Sequence, residues 1–165
     1  MKKAILLLGF VLFGIQSSFC QDGDFILGVN VGLPTGDIKD YSNFNAGADV
    51  AYLFGLADIV KVGPTAGYMH FFGEDGEEGD VEWEVDDIQF VPVGAAGRVD
   101  LGFVVAGLDL GYAIGVNDGN DGGFFYRPKA GFSLAMLNII VSYTNINIEE
   151  DVSVGTFNVG LEFGL

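Results

Sequence analysis

The chain has almost no cysteine, almost no histidine and little positive charge. Its one cysteine, Cys20, sits at the end of a leader-like stretch: Met1, Lys2 and Lys3 are followed by an apolar run from Ala4 to Ile15, and Ser18 and Cys20 hold the small-residue positions before Gln21. This is the layout of a secretory signal peptide cleaved after Cys20, giving a leader over residues 1–20 and one domain over 21–165. A lipidated Cys20 is the rival, but Phe19 stands where a lipoprotein signal needs a small residue. Cleavage there leaves no thiol, which excludes disulfides and cysteine catalysis. His70 is the only histidine, and no local motif links it to a nucleophile such as Ser142, so the expectation is a protein that is not an enzyme.

Seven basic residues stand against 23 acidic ones, a formal charge of −16. A nucleic-acid partner is excluded on that balance. No segment beyond residue 20 approaches the roughly 18 consecutive apolar residues of a membrane helix. Half of the residues are nevertheless hydrophobic and only 18% are charged, where a soluble domain carries about a quarter. The apolar surface must therefore be shielded from water by some other arrangement.

What the chain does have is alternation. Eight segments repeat apolar and polar side chains with a period of two: residues 24–33, 43–54, 58–72, 87–100, 102–116, 123–136, 138–148 and 153–165. The last sets Phe157, Val159, Leu161, Phe163 and Leu165 against Thr156, Asn158, Gly160, Glu162 and Gly164. Ile146 and Ile148 break the rule by falling on the polar face of the seventh, which predicts a bulge or an early end there. Long polar loops (34–42, 73–86, 117–122 and 149–152) alternate with very tight links near 55–57, 101 and 137. The fold class expected is therefore all-β: an eight-stranded antiparallel up-and-down transmembrane β-barrel behind an N-terminal signal peptide. Its long loops would be extracellular and its termini periplasmic. Aromatics should form two girdles, with Phe44, Tyr68, Phe72, Phe90, Phe124, Tyr126 and Phe157 near the long-loop rim and Phe25, Phe54, Phe103 and Phe163 near the other.

The polar face is rich in Gly, Ser, Thr and Asn rather than in the Lys and Glu of a solvated surface, so it is the inside. A soluble lipocalin-like carrier would turn the faces the other way. Asp49, Lys61, Arg98, Asp109, Arg127, Lys129 and Glu162 all fall on that face. Charges confined in a narrow lumen should pair, and Asp49 and Lys61 are expected to be cross-strand neighbours. Eight strands leave an interior only wide enough for side chains, so a filled lumen is expected over a small-solute or ion channel.

Asn158, Gly160, Phe163 and Leu165 near the end of the chain resemble the C-terminal β-signal by which bacterial outer-membrane barrels are handed to their assembly machinery, with Leu165 in place of the usual final aromatic. The chain as a whole resembles small eight-stranded outer-membrane barrels of the OmpX/OmpA transmembrane type, and the outer-membrane β-barrel domain proteins common in Bacteroidetes. That resemblance implies a non-enzymatic cell-envelope protein whose partners are outer-membrane lipid, the assembly machinery and an extracellular partner reached through variable loops.

Residues 73–87 carry nine carboxylates, with Gly76 and Gly79 interspersed. Glu74, Asp75, Glu77, Glu78 and Asp80 form a weak calcium candidate whose spacing fits no EF-hand loop. A solvated, self-repelling loop is the expectation, without a cofactor. Trp83 and Val85 alternate with acids, which predicts that the strands extend here as a ribbon.

Overall fold

The computed structural model describes residues 23–73, 76–78, 81–83, 86–117, 120–149 and 152–165. Strands β1 (Asp24–Gly36), β2 (Ser42–Ala57), β3 (Val60–Gly73), β6 (Ile88–Asp100), β7 (Val104–Gly115), β8 (Gly123–Leu134), β9 (Leu137–Glu149) and β10 (Val152–Gly164) close into one barrel. Each is antiparallel to both neighbours, and β1 seals the ring against β10 from Ile26 opposite Gly164 to Gly36 opposite Val154. The short β4 (Gly76–Glu78) and β5 (Val81–Trp83) pair as a separate two-stranded ribbon within the acid-rich segment. A 3-10 turn, Asp37–Asp40, follows β1.

The expected strands and faces are the observed ones, with informative exceptions. At one end β2–β3, β6–β7 and β8–β9 are joined by tight turns; the other end carries the longer connections. Side chains alternate along every strand because the pleat has a period of two. The outward set is apolar: Leu27, Val29 and Val31 of β1, Leu108, Leu110 and Tyr112 of β7, and Val159, Leu161 and Phe163 of β10 are all exposed. The inward set holds the buried charges. This reverses the polarity of a soluble domain.

Strand β9 does not end early. Ile148 has no opposite residue, because Val152 pairs with Glu149 while Ser153 pairs with Asn147, so a bulge sits there. Ile146 still points inward and is fully buried. It belongs to an apolar plug with Met69, Phe71, Phe90, Phe125 and Val154, capped by Ile38 from the 3-10 turn. Phe90 is therefore an interior residue and not part of the rim girdle, as its even position on β6 beside buried Pro92 and Ala96 requires. The lumen is thus not polar throughout: its long-loop third is packed like an ordinary core, with Phe71 and Phe90 edge to face at 6.0 Å.

Candidate functional site

Alternation on five strands delivers six charged side chains to one level of the lumen. Asp49 comes from β2, Arg98 from β6, Asp109 from β7, Arg127 and Lys129 from β8, and Glu162 from β10, each no more than 8% exposed. Three cations face three carboxylates. Arg98 reaches Glu162 through both terminal nitrogens, with Nη2 donating to Oε1 at 3.2 Å and a closer contact between Nη1 and Oε2. Lys129 Nζ is the hub, standing 2.9 Å from Asp109, 3.1 Å from Glu162 and 3.6 Å from Asp49. Arg127 Nη1 donates to Asp49 at 3.2 Å and lies 3.9 Å from Asp109.

Burying single charges at this depth would be prohibitive, and pairing is what makes the arrangement tolerable. The remaining donors of Arg127 are also engaged, Nε donating to the Thr144 hydroxyl at 2.9 Å and Nη2 to the Met69 sulfur at 3.3 Å. Asn30 donates to Asp49 at 3.2 Å. Asp109 is held by charge contacts alone, without an aligned hydrogen bond to either oxygen. Asn30, Met69 and Thr144 carry no sequence signal beyond their inward parity. What parity does not reveal is which inward residues share a level.

Lys61 stands apart from this cluster. It lies near the turn end, where Nζ bridges Asp24 at 2.6 Å and Asp100 at 2.7 Å. Asp49 and Lys61 are not cross-strand neighbours: Asp49 faces Gly67 on β3, and Lys61 faces Gly55. The tight link expected near 55–57 belongs to β2, and the turn itself lies at 58–59, so counting symmetrically from the expected link misplaces the pair. Below the cluster an open cavity of about 360 Å³ reaches the turn end, with Lys61, Arg98, Asp100 and Asn138 among its walls. The lumen therefore has an apolar plug, a neutral ion cluster and an open vestibule, in that order.

The C-terminal residues take different places. Asn158 is buried, accepting at 2.9 Å from Asn45, which in turn accepts from Thr156 at 2.6 Å. A Cβ on Gly160 would stand 2.6 Å from the Val29 carbonyl oxygen, so this position accepts nothing larger without a shift. Phe163 and Leu165 are exposed on the outside. Of the calcium candidates, Glu74, Asp75 and Asp80 lie outside the described residues, and Glu77 and Glu78 are in β4. No metal-holding group of histidine and carboxylates occurs among the described residues.

His70 faces outward at the long-loop rim. Its Nδ1 is 3.2 Å from the Tyr68 hydroxyl and its Nε2 is 2.9 Å from Asp87. Ser142 points into the lumen, so the two never meet. The Gly73 backbone N–H, donating at 2.9 Å, holds the Asp87 carboxyl below its ordinary value, and His70 pulls the same way. Both feet of the acidic segment are tied together there.

An apolar belt outside and paired charges inside define a filled barrel of the membrane type. No protein-family model matches the chain, and no curated protein matches it. Among solved structures it is similar to Ail, the attachment invasion locus protein of Yersinia pestis, at 17% identity and a TM-score of 0.58, over 88% of this chain and 99% of that one. A structure of Ail in a phospholipid bilayer nanodisc gives 17% identity and a TM-score of 0.56, over 87% and 100%. A de novo designed transmembrane β-barrel gives 12% and 0.54, over 86% and 95%. The likeness is one of fold: this chain has the closed eight-stranded antiparallel architecture of outer-membrane barrels.

Proposed function

We propose that this chain is an integral outer-membrane barrel of the OmpX/OmpA transmembrane type, with a sealed lumen and a structural or surface-interaction role carried by its acidic loops. The observation that carries this reading is the reversed polarity of the wall. Leu110, Val159 and Phe163 are exposed while Asp109, Arg98 and Glu162 are buried, an arrangement stable in hydrocarbon and aggregation-prone in water. A soluble carrier would need the opposite. A channel reading is opposed twice, by the apolar plug and by the ion cluster beneath it.

The long loops would then face the exterior and the termini the periplasm, with residues 1–20 removed on export. Asn158, Gly160, Phe163 and Leu165 would present the chain to the barrel assembly machinery. Ail has been solved in complex with a heparin analogue, sucrose octasulfate. The nine carboxylates between residues 73 and 87 would repel such a polyanion, so the extracellular partner sought through these loops is a cationic one. The test is fractionation: the folded protein should stay in the membrane pellet through a carbonate wash and change gel mobility on boiling. Release into the soluble fraction would defeat the reading, and discrete conductance steps in planar bilayers would restore the channel.

A further inference from the structure

Toward the long loops the outer wall is apolar on β2, β3, β7 and the start of β8, where Phe44, Phe72, Ile114 and Phe124 are exposed. One row departs from this. Thr35 of β1 pairs with Gly155 of β10, Gly155 with Asn145 of β9, and Asn145 with Tyr126 of β8. By parity with exposed Leu33, Phe157 and Phe124, all these positions face outward. Adjacent strands therefore present a hydroxyl, an open backbone, an amide and a phenol side by side.

The row is a niche rather than a flat strip. The Thr35 hydroxyl oxygen is buried and has no hydrogen-bond partner among the described residues. A Cβ on Gly155 would stand 2.6 Å from that oxygen and 2.9 Å from the Tyr143 hydroxyl, so glycine keeps open the space between two hydroxyls. Asn145 is only 8% exposed. The Tyr143 ring lies 6.5 Å from that of Tyr126 and 4.8 Å from that of Phe157. Exposed apolar side chains bound the niche on both sides, Phe124 about 7 Å nearer the loops and Leu33 and Phe157 as far toward the turns. A hydroxyl set in such a surface is costly unless something bonds it.

Resting on the membrane reading above, we infer that this row is a binding site for the sugar headgroup of an outer-leaflet glycolipid. The Thr35 and Tyr143 hydroxyls exchange hydrogen bonds with sugar hydroxyls, Asn145 offers a further donor and acceptor, and the tyrosine and Phe157 rings receive the apolar C–H face of the sugar. The acyl chains of the same lipid run down exposed Leu33 and Val31 toward the belt. A sugar fits better than a phosphate. No lysine or arginine lies in the row, and the turn that follows β1 carries Asp37 and Asp40 against Lys39 alone, so an anionic headgroup meets net repulsion.

Native mass spectrometry of the folded barrel with digalactosyl diacylglycerol, phosphatidylethanolamine and phosphatidylglycerol tests this, folding being checked by heat-modifiable gel mobility. The digalactosyl lipid should be retained in preference to both phospholipids. Thr35→Val and Tyr143→Phe should each weaken that retention about fivefold, as the loss of one neutral hydrogen bond predicts. Tyr112→Phe, which removes a hydroxyl bonded to the Asp121 carbonyl outside the niche, should leave it unchanged. Equal retention of the three lipids, or retention that the niche variants do not alter, would overturn the site and leave the membrane reading intact. Preference for phosphatidylglycerol would identify a phosphate and overturn the sugar. A chain that folds without lipid or detergent takes both readings down. Should Tyr143→Phe not fold, Asn145→Leu takes its place.

Discussion

Two adjacent levels of the lumen solve the same packing problem with opposite chemistry. Toward the long loops, Met69, Phe71, Phe90, Phe125 and Ile146 fill the space as a dry plug. One level down, Arg98, Arg127 and Lys129 do it with charge, against Asp49, Asp109 and Glu162. The plug needs only volume and gains from every contact. The ion cluster needs stoichiometry and geometry, because a missing partner leaves an uncompensated charge in a confined space. One region tolerates resizing better than the other tolerates neutralisation.

The sharpest way to break this comparison is Glu162→Gln, which leaves Arg98 and Lys129 without their shared carboxylate. It should cost about 3–5 kcal/mol, read as a lowered urea midpoint for unfolding from vesicles. Phe71→Ala should cost about 3 kcal/mol by opening a cavity in the plug, and a smaller loss for Phe71→Leu in the same titration would show that volume is what matters. Lys61→Met tests whether burial sets the scale: its bridge to Asp24 and Asp100 is partly exposed, so the loss should be at most about 1 kcal/mol. Ala135, at φ 59°, is in the left-handed region, and Ala135→Gly should raise stability by about 0.5–1 kcal/mol in that assay.

The smallest effect concerns the loop feet. Because the folded Asp87 carboxyl is held below its ordinary value, its contribution is present above about pH 4 and is lost as pH falls through the lower folded value. Amide exchange at Gly73, corrected for its intrinsic pH dependence, should show reduced protection below that range. Asp87→Asn should show the reduced protection at every pH.

Much of this architecture is legible in the sequence because alternation is a strong signal where one face is lipid-like and the other polar. The eight strands, the face of nearly every residue and the inward parity of the seven candidate charges are visible in the alternation, while the limits of β1 and β2 are not, since β1 runs on to Gly36 and β2 to Ala57. Phe90 escapes because an aromatic near a strand end reads as a girdle residue, though its parity points inward. Lys61 groups with the wrong charges because parity fixes the face and not the height. Height depends on where the chain turns, and the β2–β3 turn sits at 58–59, beyond the Gly55 that marks a link in the sequence. Ile146 breaks the polar pattern for a physical reason: the lumen turns apolar near the loops, so an inward isoleucine is at home there.

Glu162 lies on β10, the strand that seals the ring against β1. Strands β1 to β9 by themselves hold Arg98, Arg127 and Lys129 against only Asp49 and Asp109. An open sheet lacking its final strand is thus electrically unfinished, one positive charge in excess at its centre. The strand that meets β1 brings the missing anion, so the step that shuts the wall is also the one that neutralises the interior.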